Sequence, residues 1–193
     1  ALGLLLIGGV APSHAQEEDG TIIFVRADAT TDAGNEDIGG SWETAYRSLT
    51  RALQNAGTNA EVWVAQGTYT PVNIERREER DESFVVSSKG VAIYGGFEGD
   101  EATFEERPTP VDPASTVLSG DIDGDGTLAG NSYHVVVVNN AANFFNGDPF
   151  TLFEGLTISA GNANGTGISN GIPNNDGGGL ACASGCYTVL NNV

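Results

Sequence analysis

Short apolar runs return along the second half of this chain at a nearly constant interval, with no helical pattern between them. Their centres fall at Val117, Val136, Leu156 and Leu180. A near-fixed step of roughly 20–25 residues points to a solenoid. Parallel strands usually need helical crossovers, yet the connections here are rich in Gly and Asn. A coil in which each turn stacks on the last accommodates both facts. Asn139-Asn140, Asn174-Asn175 and Asn191-Asn192 fall near strand ends, where amides form ladders or take left-handed corners. The expected class is all-β.

The first half reads as an entry to that coil. Residues 21–25 are β-branched and apolar, a strand. Ser41 stands where an N-cap belongs. Trp42, Ala45, Tyr46, Leu49, Ala52, Leu53 and Ala56 follow at helical spacing. Gly57 then supplies a left-handed stop. This predicts an amphipathic helix over 41–56, whose apolar face plugs the open end of the coil. Further strands are expected at 61–65, 83–86 and 91–94, with Gly95-Gly96-Phe97 turning away. Residues 73–82 read as an exposed mixed-charge loop and 98–115 as an acidic, Pro-rich connection.

The ends add a compartment. Leu2 to Val10 is apolar but too short to span a bilayer. Ser13-His14-Ala15 offers the small residues of a signal-peptide cleavage site before Gln16. Residues 1–15 are therefore expected to be a signal peptide truncated at its start, 16–60 the strand and capping helix, and 61–193 the first coils of a structure continuing past Val193. No membrane span is expected. The chain carries 26 acidic side chains against 8 Lys plus Arg, a net charge of −18. That excess argues against nucleic-acid partners.

Several segments resemble one family as an ordered set. They are Gly40-Ser41-Trp42, Leu49 with Ala52-Leu53, residues 62–65, residues 67–71, residues 94–97, residues 116–121 and Gly178-Gly179-Leu180. Together they resemble the N-terminal part of bacterial right-handed parallel β-helix surface proteins. Those are related in fold to pectin lyases, and in repeat style to polymorphic outer-membrane proteins and autotransporter passengers. The resemblance implies a right-handed parallel β-helix, exported to the outside or the surface of a bacterium. It carries over no catalytic residue, because the shared motifs are turn and core residues.

Some residues could carry chemistry of their own. Asp121-Ile122-Asp123-Gly124-Asp125-Gly126 opens like a calcium loop, with alternate carboxylates and Gly at the sixth place. Ser132 stands where the bidentate Glu of an EF-hand belongs, so the candidate is a non-EF loop using Asp121, Asp123, Asp125 and the Thr127 carbonyl. The competing account is a solvated Asp-Gly turn. Asp121 and Asp123 also sit at i, i+2, which would suit a hydrolase pair on one strand face. His134 is read as a strand-end residue rather than a base. Cys182 and Cys186 are four apart, about 13 Å in a continuous strand and beyond disulfide reach. A turn at 183–185 would bring them together, and export would permit oxidation. The alternatives are two core thiols or pairing with coils past Val193. Trp63, Tyr69 and Tyr94 are read as core. Phe144-Phe145 are candidates for an exposed contact, though an inward-folded loop is preferred.

No Lys or Arg follows Arg107, and a lyase on a polyuronate needs a cation or metal beside its base. The expected function is a non-enzymatic, adhesin-like surface scaffold, presenting Asn/Gly/Asp loops to a ligand or glycan as a monomer. The alternative is a polysaccharide lyase or glycoside hydrolase whose active coils lie mostly outside this sequence.

Overall fold

A computed structural model describes residues 20–30, 38–71, 80–183 and 186–193. The expected signal peptide, 1–15, lies outside them, as does most of the 73–82 loop. Among the described residues no helix is long and apolar enough to cross a membrane.

The molecule is mostly strand. In chain order the described residues form β1 (Ile22–Val25), the α-helix α1 (Leu49–Asn55), β2 (Glu61–Ala65), β3 (Gly67–Tyr69), β4 (Phe84–Val86), β5 (Ala92–Phe97), β6 (Thr116–Ser119) and β7 (Val136–Val138). Then come β8 (Thr151–Glu154), β9 (Thr157–Ser159), β10 (Ile168–Ser169), β11 (Ile172–Pro173), β12 (Leu180–Cys182) and β13 (Thr188–Asn191). Three sheets of short parallel strands hold most of them, ordered β1-β2-β5-β8-β13, β3-β6-β9 and β4-β7-β12. The chain visits these sheets in the same order each time: β2, β3, β4, then β5, β6, β7, then β8, β9, β12, before β13 re-enters the first.

The near-constant step seen in the sequence therefore runs from sheet to sheet and not along one sheet. Val117 and Val136 belong to different sheets. Within the first sheet Glu61 faces Ala92, and Ala92 in turn faces Leu152, an interval nearly twice as long. The circuits differ in length because loops of unequal size leave the corners.

One apolar interior draws on all three sheets. Val62, Val64 and Ile93 from the first, Leu118 from the second and Phe84, Val86 and Val136 from the third share it with Leu49, Ala52 and Leu53 of α1. A second layer lies on the other face of the first sheet, where Trp42, Ala45, Trp63, Ala65 and Phe97 pack with Phe24, Tyr94 and Phe104. Trp63 and Phe97 stack at 4.8 Å, 8° from coplanar. This explains why residues 62–65 are all buried although strand side chains alternate in direction.

The helix is shorter than its apolar spacing predicts. Ser48, not Ser41, is the N-cap, accepting from the Arg51 N–H. Residues before it serve β1 instead: the Tyr46 N–H donates to Phe24 O at 2.8 Å, and the Arg26 N–H to Tyr46 O at 2.9 Å. Trp42 and Ala45 thus join the outer aromatic layer, while Leu49, Ala52, Leu53 and Ala56 reach the interior and Tyr46 packs against it. At the other end Gly57 is not left-handed; Ala56 ends the helix in an extended conformation, and Asn59 takes the positive φ of 60°. Gly95-Gly96-Phe97 continues β5 rather than turning away. Gly96 has φ +85°, and the register shifts opposite Trp63/Ala65, as in a bulge.

Candidate functional site

The acidic loop follows directly on β6. Ser119 ends the strand, and Ser132 N–H returns to Gly120 O at 2.9 Å, closing the loop at its base. Asp121 and Asp123 are in this loop and not on a strand, so the expected i, i+2 strand face does not exist. The loop brings one carboxylate oxygen each of Asp121, Asp123 and Asp125 within 4.8 Å of one another. The same carboxylates order the loop. Asp121 accepts from the Gly124 and Gly126 N–H groups at 3.0 and 3.1 Å, and Asp123 from Asp125 N–H at 3.3 Å. Thr127 donates its N–H and hydroxyl to Asp125 at 2.7 and 3.1 Å. Each bond uses one lone pair of an oxygen that has another to offer. Three like charges this close repel, and hard oxygens so arranged suit a hard cation.

Arg107 and Arg80 are occupied otherwise. Arg107 is buried outside the first sheet. Its Nε donates to Gly95 O at 2.7 Å and its Nη1 to Glu154 Oε1 at 2.8 Å, with the guanidinium 5.4 Å from the Phe97 and Phe104 ring centres. Arg80 lies 4.2 Å over the Tyr133 ring and donates to Asn131 O, Asn162 O and Asn164 Oδ1. It therefore binds two successive loops. Buried Glu101 accepts from the N–H groups of Glu98, Gly99 and Asp100. Part of the acidic connection is thus an internal brace.

His134 precedes β7 and is fully buried, with Nδ1 3.2 Å from Gly177 O. It meets no solvent-borne substrate there. Cys182, the last residue of β12, is joined to Cys186 by a disulfide, their α-carbons 5.8 Å apart. Tyr69 donates to Ala65 O at 2.9 Å, and burial pushes its phenol well above the ordinary value.

Phe144 and Phe145 correct the sequence reading. They lie on a 3-10 turn, Phe144–Asn146, and face outward. Their neighbours were missed: Phe144 meets Tyr187 at 5.3 Å, and Tyr187 meets Phe150 at 5.5 Å. Phe150 and Tyr187 each stand just before a Thr that opens a first-sheet strand, and it is the pairing of Thr151 with Thr188, seen only in the structure, that brings them together. Lys89 donates to Asp148 at 2.8 Å beside this turn and holds that carboxyl below its ordinary range.

No curated protein and no solved structure matches the chain. Residues 32–147, however, match a family model described as a protein of unknown function, DUF1565. That match runs from the segment before α1 to the Phe144–Asn146 turn, and by it the chain belongs to the DUF1565 family.

Proposed function

We propose that this chain forms coils of a right-handed parallel β-helix, akin to the pectin-lyase fold, and acts as an exported, non-enzymatic surface scaffold. The observation that carries the reading is the repeated order in which the chain visits three parallel sheets. Such a circuit gives a stiff core and releases a loop at every corner. Parallel crossovers are right-handed in nearly all proteins, which supplies the hand. The capping role of α1 is part of the proposal, since its 49–53 face enters the interior next to β4.

The use of charge favours a scaffold. Arg26, Arg80, Lys89 and Arg107 each hold a partner of their own, and Arg107 and Glu101 are buried. These cations brace loops instead of waiting for a polyuronate. The acidic loop fits the same role: Asp121, Asp123 and Asp125, with the Thr127 carbonyl, would hold a structural calcium that pins a long corner. The Cys182–Cys186 bridge suits an oxidising compartment.

The test is incubation of the chain with polygalacturonate, xylan and cellulose, following unsaturated uronate absorbance, new reducing ends and retention of the intact polymer. A scaffold leaves each polymer uncleaved and releases no product. Turnover with product release would overturn the reading, as would recovery of the natively expressed protein only from cytoplasm.

A further inference from the structure

The corner between the third and first sheets holds four aromatic rings in a row outside the core. Phe145 packs on Phe144 at 5.7 Å, and the row continues through Tyr187 to Phe150. Successive planes lie 71–73° apart. The rings therefore touch edge to face. Phe145 is 92% exposed, Phe144 63% and Phe150 41%.

The turn that carries the two outermost rings is closed on itself. Asn143 Oδ1 accepts from Phe145 N–H at 2.9 Å, and Gly147, left-handed at φ +72°, donates to Phe144 O at 3.1 Å. Asp148 accepts from Asn143 N–H at 3.0 Å and from Lys89 at 2.8 Å. With its backbone satisfied, the turn has little to gain by folding inward. The turn nevertheless leaves the apolar surface of Phe145 in water. Such prior ordering lowers the entropic cost of binding.

The chemistry around the rings narrows the ligand. Between Asn139 and Phe150 the single ionisable side chain is Asp148, and Lys89 neutralises it. In a chain of net charge −18 this corner is neutral. A polyanion is repelled from afar and finds Lys89 engaged. Exposed amides at Asn143 and Asn146 lie on the same turn as the two outer rings, and a wholly apolar pocket closing over them would strip their water without replacing it. Sugar rings present C–H faces to aromatics and hydroxyls to amides.

We propose that this corner binds an uncharged polysaccharide, with sugar faces on Phe144 and Phe145 and hydroxyls on the amides of Asn143 and Asn146. The proposal rests on the scaffold reading and gives it a contact site and a ligand class.

The experiment is co-sedimentation of the full chain with microcrystalline cellulose and chitin, and affinity electrophoresis in neutral xylan and galactomannan. Wild type is retained by at least one. Phe145→Ala weakens retention about tenfold, as expected for a central aromatic anchor, and Phe144→Ala/Phe145→Ala abolishes it. The thermal midpoint of Phe145→Ala stays at the wild-type value, because that ring lies outside the core. Equal retention by Phe145→Ala overturns the site and leaves the scaffold reading standing. Retention by none of the four polymers also overturns the site. Release of sugar product by wild type overturns both.

Discussion

Arg107 leaves water to bridge two strands of the first sheet, bonding Gly95 O in β5 and Glu154 in β8. Glu154 in turn accepts from Asn191 Nδ2 at 2.8 Å, so the tie reaches a third strand, β13. Arg107→Ala would leave Glu154 facing an apolar gap, and removing one partner of such a pair costs about 3 kcal/mol. Urea unfolding should show that loss, with Arg107→Lys recovering little because one ammonium cannot serve both acceptors. A loss below about 1 kcal/mol would place the ion pair among ordinary surface pairs. Tyr69 gives a pH dependence of known sign. Burial raises its folded value above the ordinary 10.0, so its contribution is whole below that pH and drains away as pH rises toward the folded value. Stability measured from about pH 9 to about pH 12 should fall, and Tyr69→Phe should flatten the fall; equal slopes would remove Tyr69 as a cause. At Asp123 the expected outcome concerns metal. Millimolar calcium should raise the melting temperature by several degrees, EDTA should reverse the rise, and Asp123→Ala should show neither. No calorimetric heat and no shift would leave the loop a plain Asp-Gly turn.

Among the elements, strands were easier to read than the helix. Residues 61–65 and 116–118 announce themselves by β-branched runs, and both are strands. The helical spacing of Trp42, Ala45 and Tyr46 misled, because two apolar layers lie on opposite faces of one sheet and both accept such residues. Local chemistry decides where the spacing cannot: Ser48, whose hydroxyl meets the Arg51 N–H, caps α1. Ser48→Ala should cost about 1 kcal/mol, measured by denaturant melt, whereas Ser41→Ala should leave helix content unchanged by circular dichroism. The hairpin β10–β11 was missed, although Asn170-Gly171 between Ser169 and Ile172 is a strong hairpin signal. Both turn residues are left-handed, φ 52° and 83°, and Ile172 covers Val137 and Ala181 on the outer face of the third sheet. The Asp triad was legible because its spacing is local. The aromatic corner was not, because Tyr187 is distant from Phe144 along the chain and only strand pairing unites them.

At the scale of the whole molecule, the repeating interval in the sequence signalled parallel strands without helical crossovers, but it did not reveal which strand pairs with which. Loops of different length separate the circuits, so the interval from Ala92 to its partner Leu152 is nearly twice that from Glu61 to Ala92. Pairing alone fixes the register, and pairing is not written in spacing. The central claim is therefore the pairing itself: three parallel ladders, traversed in one order. Interstrand nuclear Overhauser contacts in the isotopically labelled chain test it most directly. The account predicts parallel-type contacts linking Val62 to Ile93 to Phe153, Thr68 to Val117 to Thr157, and Val85 to Val137 to Ala181. Close Hα–Hα contacts between these strands, the mark of antiparallel pairs, would contradict it.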